Sequence, residues 1–149
     1  MRQWFTQISS PMTEEVKDLL THRVKDNPFC KVMRMEVTHV EEGKLTMMVD
    51  ICEDCHTNIY GYVHGGVFSG MADTACGVCC FTTGVRVITL DMNLNYIKNV
   101  RAGTRVFCYA EILQKGNKIM RTHCRIEDGE GTLLVDGNLN FYIIGKEDI

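Results

Sequence analysis

The sequence predicts an α+β domain in which one long, mostly antiparallel β-sheet wraps around a single buried α-helix. Three observations carry that prediction. Apolar and polar residues alternate through residues 33–51 and again through 88–144, in runs separated by short turn segments. Between them, residues 64–82 are apolar almost all round, the pattern of a helix with no solvent face. The chain has 149 residues and no internal repeat, linker or low-complexity tract, so residues 1–149 read as one domain.

Residues 10–26 read as an N-terminal helix. Ser10-Pro11 offers an N-cap followed by proline at the first helical position. Glu14, Glu15 and Asp18 load the early turns with negative charge, and Val16, Leu19, Leu20 and Val24 recur at helical spacing. Asn27-Pro28 ends the helix. Met33, Met35 and Val37, then Leu45, Met47, Val49 and Ile51, form two strands of a hairpin around the turn Glu41-Glu42-Gly43. Residues 52–63 are a loop.

The central helix, 64–82, contains Gly65, Gly66, Gly70 and Gly77. Each glycine costs a helix roughly 1 kcal/mol relative to alanine, which makes sense where something packs close against the backbone. Four strands follow. The first alternates Ile88, Leu90, Met92, Leu94 and Tyr96 against Thr89, Asp91, Asn93 and Asn95. Val106 to Ile112, Ile119 to Ile126 and Leu133 to Ile144 complete the set, joined by turns at Lys115–Lys118 and Asp128–Gly131. Turns this short imply antiparallel pairing.

Composition removes several function classes. A net charge of −3 gives no basic field for nucleic acid, and no 18-residue apolar run suggests a membrane partner or span. The first ten residues, MRQWFTQISS, are too polar for a signal-peptide core, so a cytoplasmic location is expected. Eight cysteines then read as free thiols rather than a disulfide framework. Cys52/Cys55 and Cys76/Cys79 form two C-x-x-C pairs, and Cys52-Glu-Asp-Cys55-His56 matches a haem-attachment pattern. The second pair lies in the buried helix, where cysteine serves as a small hydrophobe, so neither metal nor cofactor is expected.

The chemistry concentrates around Asp73. It is the only formal charge between Asp54 and Arg86. A lone carboxylate among apolar residues is costly to bury unless it is paired, hydrogen-bonded or used. Eight residues earlier, Gly65 falls where a helix would begin, and helix starts offer free N–H groups at a positive dipole end. A donor for a developing oxyanion and an acid–base group together are what acyl hydrolysis needs.

The order Asn58, His64-Gly65-Gly66 and Asp73, followed by Thr89-Leu90-Asp91-Met92-Asn93 and Tyr96-Ile-Lys-Asn-Val-Arg-Ala-Gly103, resembles the hotdog-fold acyl-CoA thioesterases. Within them it is most similar to the phenylacetate-pathway (PaaI-type) branch. The resemblance implies an acyl-CoA substrate and no cofactor. It also implies a homodimer whose two sites lie at the subunit interface, often paired again into a tetramer. The Gly65 N–H would polarise the thioester carbonyl, Asn58 would orient it, and His64 would support the site. Asp73 would act as general base or nucleophile, and Thr89 is the nearest match for the hydroxyl that holds the water. Asn99 stands where the family often has proline, a departure expected to touch the turn and not the chemistry.

Other readings stand beside these. Asp73 could be a carboxylate held by a neighbouring helix end, Asn58 a turn cap, His64 a helix-start residue, and Thr89 an ordinary strand residue. CoA phosphates need cations, and Lys98, Arg101, Lys115, Lys118 and Arg121 lie near strand ends or turns. Tyr60, Tyr62, Phe68 and Met71 could line a pocket for an aryl or a medium-chain acyl group. The alternatives to an enzyme are a non-catalytic acyl-CoA-binding hotdog protein and a zinc module built on the two C-x-x-C pairs.

Overall fold

The computed structural model describes residues 12–147. The elements run α1 (Glu14–Asp26), α2 (Pro28–Met33), β1 (Glu36–Glu41), β2 (Lys44–Asp50), α3 (Glu53–His56), α4 (Gly65–Phe81), β3 (Val85–Tyr96), β4 (Arg105–Lys115), β5 (Ile119–Asp128) and β6 (Leu133–Lys146). The six strands form one sheet in the order β1-β2-β4-β5-β6-β3, antiparallel throughout. It curls around α4, which packs against β2 to β6. β3 and β1 are the two edges.

The N-terminal helix begins later than the sequence suggests. The Ser10-Pro11 signal lies outside the described residues. Thr13 caps α1, its hydroxyl oxygen accepting from Val16 N at 3.3 Å. Pro28 does not simply stop this helix. Asn27 ends α1 and its side chain caps α2, with Pro28 in the first turn. Residues 28–33 are therefore helical, and Met33 precedes the first strand. The segment 52–63, expected as a loop, contains the single turn α3.

His64 and Thr82 flank α4 as its caps, matching the span expected for it. Its surroundings differ from expectation. Val67, Phe68, Met71, Ala72, Ala75, Cys76, Cys79 and Cys80 are buried against the sheet. The opposite side, with Ser69, Gly70, Asp73, Thr74 and Gly77, is only half-buried. Small residues make that side look apolar in the sequence, but they leave a groove rather than fill a core. Phe29 of α2 settles on this side: a Cβ at Gly70 would stand 2.8 Å from the edge of its ring.

Candidate active site

The start of α4 is held from several sides. Before it, the chain folds back on itself, with Asn58 N donating to Tyr62 O at 2.8 Å. Asn58 Oδ1 accepts from Tyr60 N at 2.9 Å and Tyr62 N at 3.2 Å, so this side chain does cap a turn. Its amide group is left to meet something else. His64 N donates to His56 O at 2.8 Å. His56 is fully buried: its Nδ1 accepts from Cys52 N at 2.9 Å, which leaves the proton on Nε2 to donate to Met33 O at 2.9 Å.

Asn99 closes the cage from the loop after β3. Its Nδ2 donates to Val63 O at 2.9 Å, while its Oδ1 accepts from Val63 N at 3.1 Å and Val100 N at 2.7 Å. Beyond its own turn, this residue anchors the segment that leads into the helix. Proline could make none of these side-chain bonds.

His64 Nδ1 accepts from Gly66 N at 2.8 Å, which makes it the helix cap and places its proton on Nε2. Tyr96 Oη donates to Gly65 O at 3.0 Å, and its ring lies 3.6 Å from where a Gly65 side chain would begin. Among the described residues, the Gly65 N–H has no acceptor. The result is a fixed, unspent donor at the positive end of a 17-residue helix.

Two turns further along, Thr89 Oγ1 donates to Asp73 Oδ1 at 2.6 Å. Simple alternation along β3 does not place this pair correctly. Thr89 pairs with Phe141 and Asp91 with Asn140, leaving Leu90 as an extra residue. This bulge turns Thr89 toward α4 and puts Asp91 on the other face, where it accepts from Asn140 Nδ2 at 2.9 Å. Asp91 is therefore not a partner of Thr89. Ile88 and Leu90, 54 % and 51 % exposed, point away from the helix.

Asp73 and Thr89 open onto a cavity of about 500 Å³ between α1, α4 and β3. Leu20, Val24, Phe29, Val78, Phe81 and Phe141 give it apolar walls. A shallower groove of about 320 Å³, lined by Phe29, Gly66, Ser69, Gly70, Asp73 and Met92, leads from the helix start to the same carboxylate. The residues expected to line an acyl pocket do not line this cavity. Phe68 and Met71 are fully buried in the core, and Tyr60 and Tyr62 lie exposed on the loop before α4.

The five candidate cations divide into separate places. Arg101 lies beside the helix start, its Cζ 4.0 Å above the Tyr62 ring and its Nη1 donating to Tyr60 O at 3.2 Å; Lys98 is in the same loop. Lys115 lies beyond the other end of α4, donating to Thr83 O at 2.9 Å, with Lys118 in the adjoining turn. Arg121 donates to Asn140 Oδ1 at 3.2 Å on the face that carries Asp91. The cysteine pairs are likewise apart. Cys55 is exposed and Cys52 Sγ donates to Asp50 O, while Cys76 and Cys79 are buried under the sheet. Burial pushes the Cys80 thiol up to about 12 and Cys79 well above its ordinary range. Among the described residues, no cluster of three or more His, Cys, Asp or Glu could hold a metal.

A six-stranded antiparallel sheet curled around one helix, with a bare N–H at the helix start and a hydroxyl-bonded carboxylate two turns on, is a hotdog fold with groups suited to hydrolysis. Comparison with known proteins places it further. Residues 60–135 match the thioesterase superfamily, just over half of the 149-residue chain, and the chain belongs to that family. It is 23 % identical over 130 residues to human acyl-coenzyme A thioesterase 13, covering 85 % of this chain and 92 % of that one. The E. coli PaaI protein from the phenylacetic acid degradation operon has a similar fold. The TM-score is 0.79 at 16 % identity, over 86 % of this chain and 98 % of that one. A Streptococcus mutans protein bound to acetyl CoA also matches, with a TM-score of 0.74 at 18 % identity, over 76 % and 91 %.

Tyr96 and His56 hold the helix start without standing out in the sequence, and Asn99, marked there only as a departure in its turn, does the same. Tyr96 and Asn99 sit within the stretch that carries the family resemblance, and His56 appeared only as the end of a haem-like pattern.

Proposed function

We infer that the chain is an acyl-CoA thioesterase that hydrolyses a CoA thioester to the free acid and CoA. The observation that carries this reading is the Asp73–Thr89 pair, 2.6 Å apart, in the wall of an apolar cavity within a thioesterase-superfamily chain. The Gly65 N–H, aided by the Asn58 amide, receives the thioester oxygen as it becomes negative. Loss of one such donor costs roughly 3–4 kcal/mol of transition-state stabilisation. Thr89 spends its proton on Asp73 Oδ1, so its lone pairs accept from a water. The same water donates to Asp73 Oδ2 and attacks the acyl carbon as Asp73 takes its proton. The carbon–sulfur bond then breaks, the sulfur takes that proton from Asp73, and CoA leaves as the thiol. Lys98 and Arg101, beside the helix start, meet the CoA phosphates. The eight free thiols suit a reducing compartment, and the reading places the enzyme in the cytoplasm.

One chain does not make this site. Gly65 and Asp73 are eight residues apart on α4, about 12 Å along the axis. Groups that act on one carbonyl must lie within roughly 3 Å of the reacting atoms. A two-fold dimer with antiparallel central helices brings Gly65 and Asn58 of one protomer to Asp73 and Thr89 of its partner. β3 supports this arrangement: it is a 12-residue edge strand, and long exposed edges seek a pairing partner.

The test is complementation between Asn58→Ala and Asp73→Asn. Each homodimer is a poor enzyme. Refolding an equal mixture gives half heterodimers, each with one doubly damaged site and one intact site. Activity then returns to about a quarter of wild type. Confirmed subunit exchange with no recovery places the whole site within one chain and ends the shared-site reading. Tight acyl-CoA binding by wild type with no thiol release makes the protein a carrier rather than a hydrolase.

A further inference from the structure

The cavity of about 500 Å³ that Asp73 lines also carries charge that hydrolysis does not use. Arg23 of α1 and Arg86 at the start of β3 both line it. Both turn to one carboxylate: Arg23 Nη1 lies 2.9 Å from Glu147 Oε1, and Arg86 Nε lies 3.5 Å from Glu147 Oε2. Among the described residues, two guanidiniums share this one anion, one positive charge more than it balances. Arg23 also rests its Cζ 5.1 Å from the Phe81 ring centroid, at the last residue of α4. Leu20, Val24, Val78, Val87 and Phe141 line the same cavity as this group and Asp73.

A channel with apolar walls, a hydrolytic carboxylate at one end and surplus guanidinium at the other matches a chain charged at its far end. We propose that the preferred substrates are ω-carboxyacyl-CoA thioesters, in which the terminal carboxylate docks on Arg23 and Arg86. The proposal rests on the thioesterase reading and names the acyl class for that site. Guanidinium binds carboxylate through paired, charge-assisted hydrogen bonds, and Arg86, the longer of the two contacts to Glu147, has most to offer. An uncharged chain of the same length leaves that surplus unmet.

The geometry also sets the length. Asp73 and Phe81 are eight residues apart, about 12 Å along the helix. A zigzag chain with bonds of about 1.5 Å advances about 1.25 Å per carbon, so the span holds about eight to ten carbons. The hydrolysis itself is unchanged: water adds to the acyl carbon, the carbon–sulfur bond breaks, and the products are a dicarboxylic acid and CoA thiol.

The experiment compares decanoyl-CoA with the CoA monothioester of decanedioic acid, by thiol release. Wild type should favour the carboxylated substrate by at least tenfold in kcat/KM. Arg86→Gln keeps the 2.9 Å Arg23–Glu147 pair that ties α1 to the end of β6, so it preserves the fold. It should lower that ratio about tenfold, with Arg86→Lys intermediate. Glu147→Gln removes the competing carboxylate and should raise the ratio. A wild-type ratio at or below one, or a ratio that Arg86→Gln does not move, overturns the proposal while leaving the thioesterase intact. Release of thiol from neither substrate overturns the thioesterase reading, and this proposal with it.

Discussion

Replacing Asp73 with asparagine separates chemistry from structure at this site. Asp73 is half-buried, and its one side-chain hydrogen bond among the described residues is the 2.6 Å bond from Thr89 Oγ1 to Oδ1. Asparagine has the same volume and keeps an oxygen to accept that bond. The expected change in stability is therefore small, about 0.5–1 kcal/mol. The amide cannot take a proton from water. Loss of a general base costs about 10²- to 10⁴-fold in rate, or about 3–5 kcal/mol of transition-state stabilisation. The assay is release of free CoA thiol at saturating acyl-CoA, beside a thermal melt of the same preparation. kcat should fall by at least a hundredfold, with KM close to wild type and an unchanged melting curve. A kcat within threefold of wild type refutes Asp73 as the proton acceptor. Collapse of the melt with loss of activity instead makes the carboxylate a packing element.

Three further outcomes test the surroundings of that pair. Tyr96→Phe removes the bond to Gly65 O and should cost about 1 kcal/mol, roughly fivefold in kcat, with KM little changed; an equal loss in binding and turnover would show that Tyr96 does not fix the donor. KM for acyl-CoA should rise with ionic strength, and Arg101→Gln should flatten that rise whereas Arg121→Gln should not; a salt-independent KM argues against phosphate capture by either loop cation. A thiol reagent should reach Cys52 and Cys55 in the folded protein and the other six cysteines only on unfolding, counted by mass spectrometry; fast labelling of Cys79 or Cys80, whose burial holds them protonated, contradicts the packing of α4.

What the sequence revealed, and what it hid, follows from the range of each signal. Helix ends are written locally. The His-Gly-Gly start and the apolar run after it were enough to place α4 to within a residue of each end. Asn58, Gly65 and Asp73 stand out as candidates in the sequence because their types and spacing suit one reaction. Thr89 was legible as a type but not as a neighbour, because its facing depends on Leu90 being left unpaired by β6. Alternation has no term for an inserted residue, and one insertion reverses every side chain beyond it. The roles of Asn99 and Tyr96 were hidden for another reason. Each acts on a backbone group more than 30 residues away in the chain, Val63 and Gly65 respectively.

The glycines of α4 connect the fold to the function. A helix loses stability with each glycine, and Gly65, Gly66, Gly70 and Gly77 fall in or beside the half-buried side rather than in the sheet-facing stripe. Packing against the sheet is carried by Val67, Phe68, Met71, Ala75 and their neighbours, which are buried almost completely. The small side therefore contributes little to the core. What it supplies is room: at Gly65 for access to a backbone N–H, at Gly70 for the Phe29 ring, and at Gly77 for the cavity that Asp73 also lines. Asp73 is the only acidic side chain on that bared surface, and β3 delivers Thr89 to it through a bulge. A methyl group at Gly70 would meet Phe29, which lines both the groove and the deeper cavity. Close packing and an open groove are thus the same property of one helix face, and the sheet-facing stripe provides the stability that this face gives up.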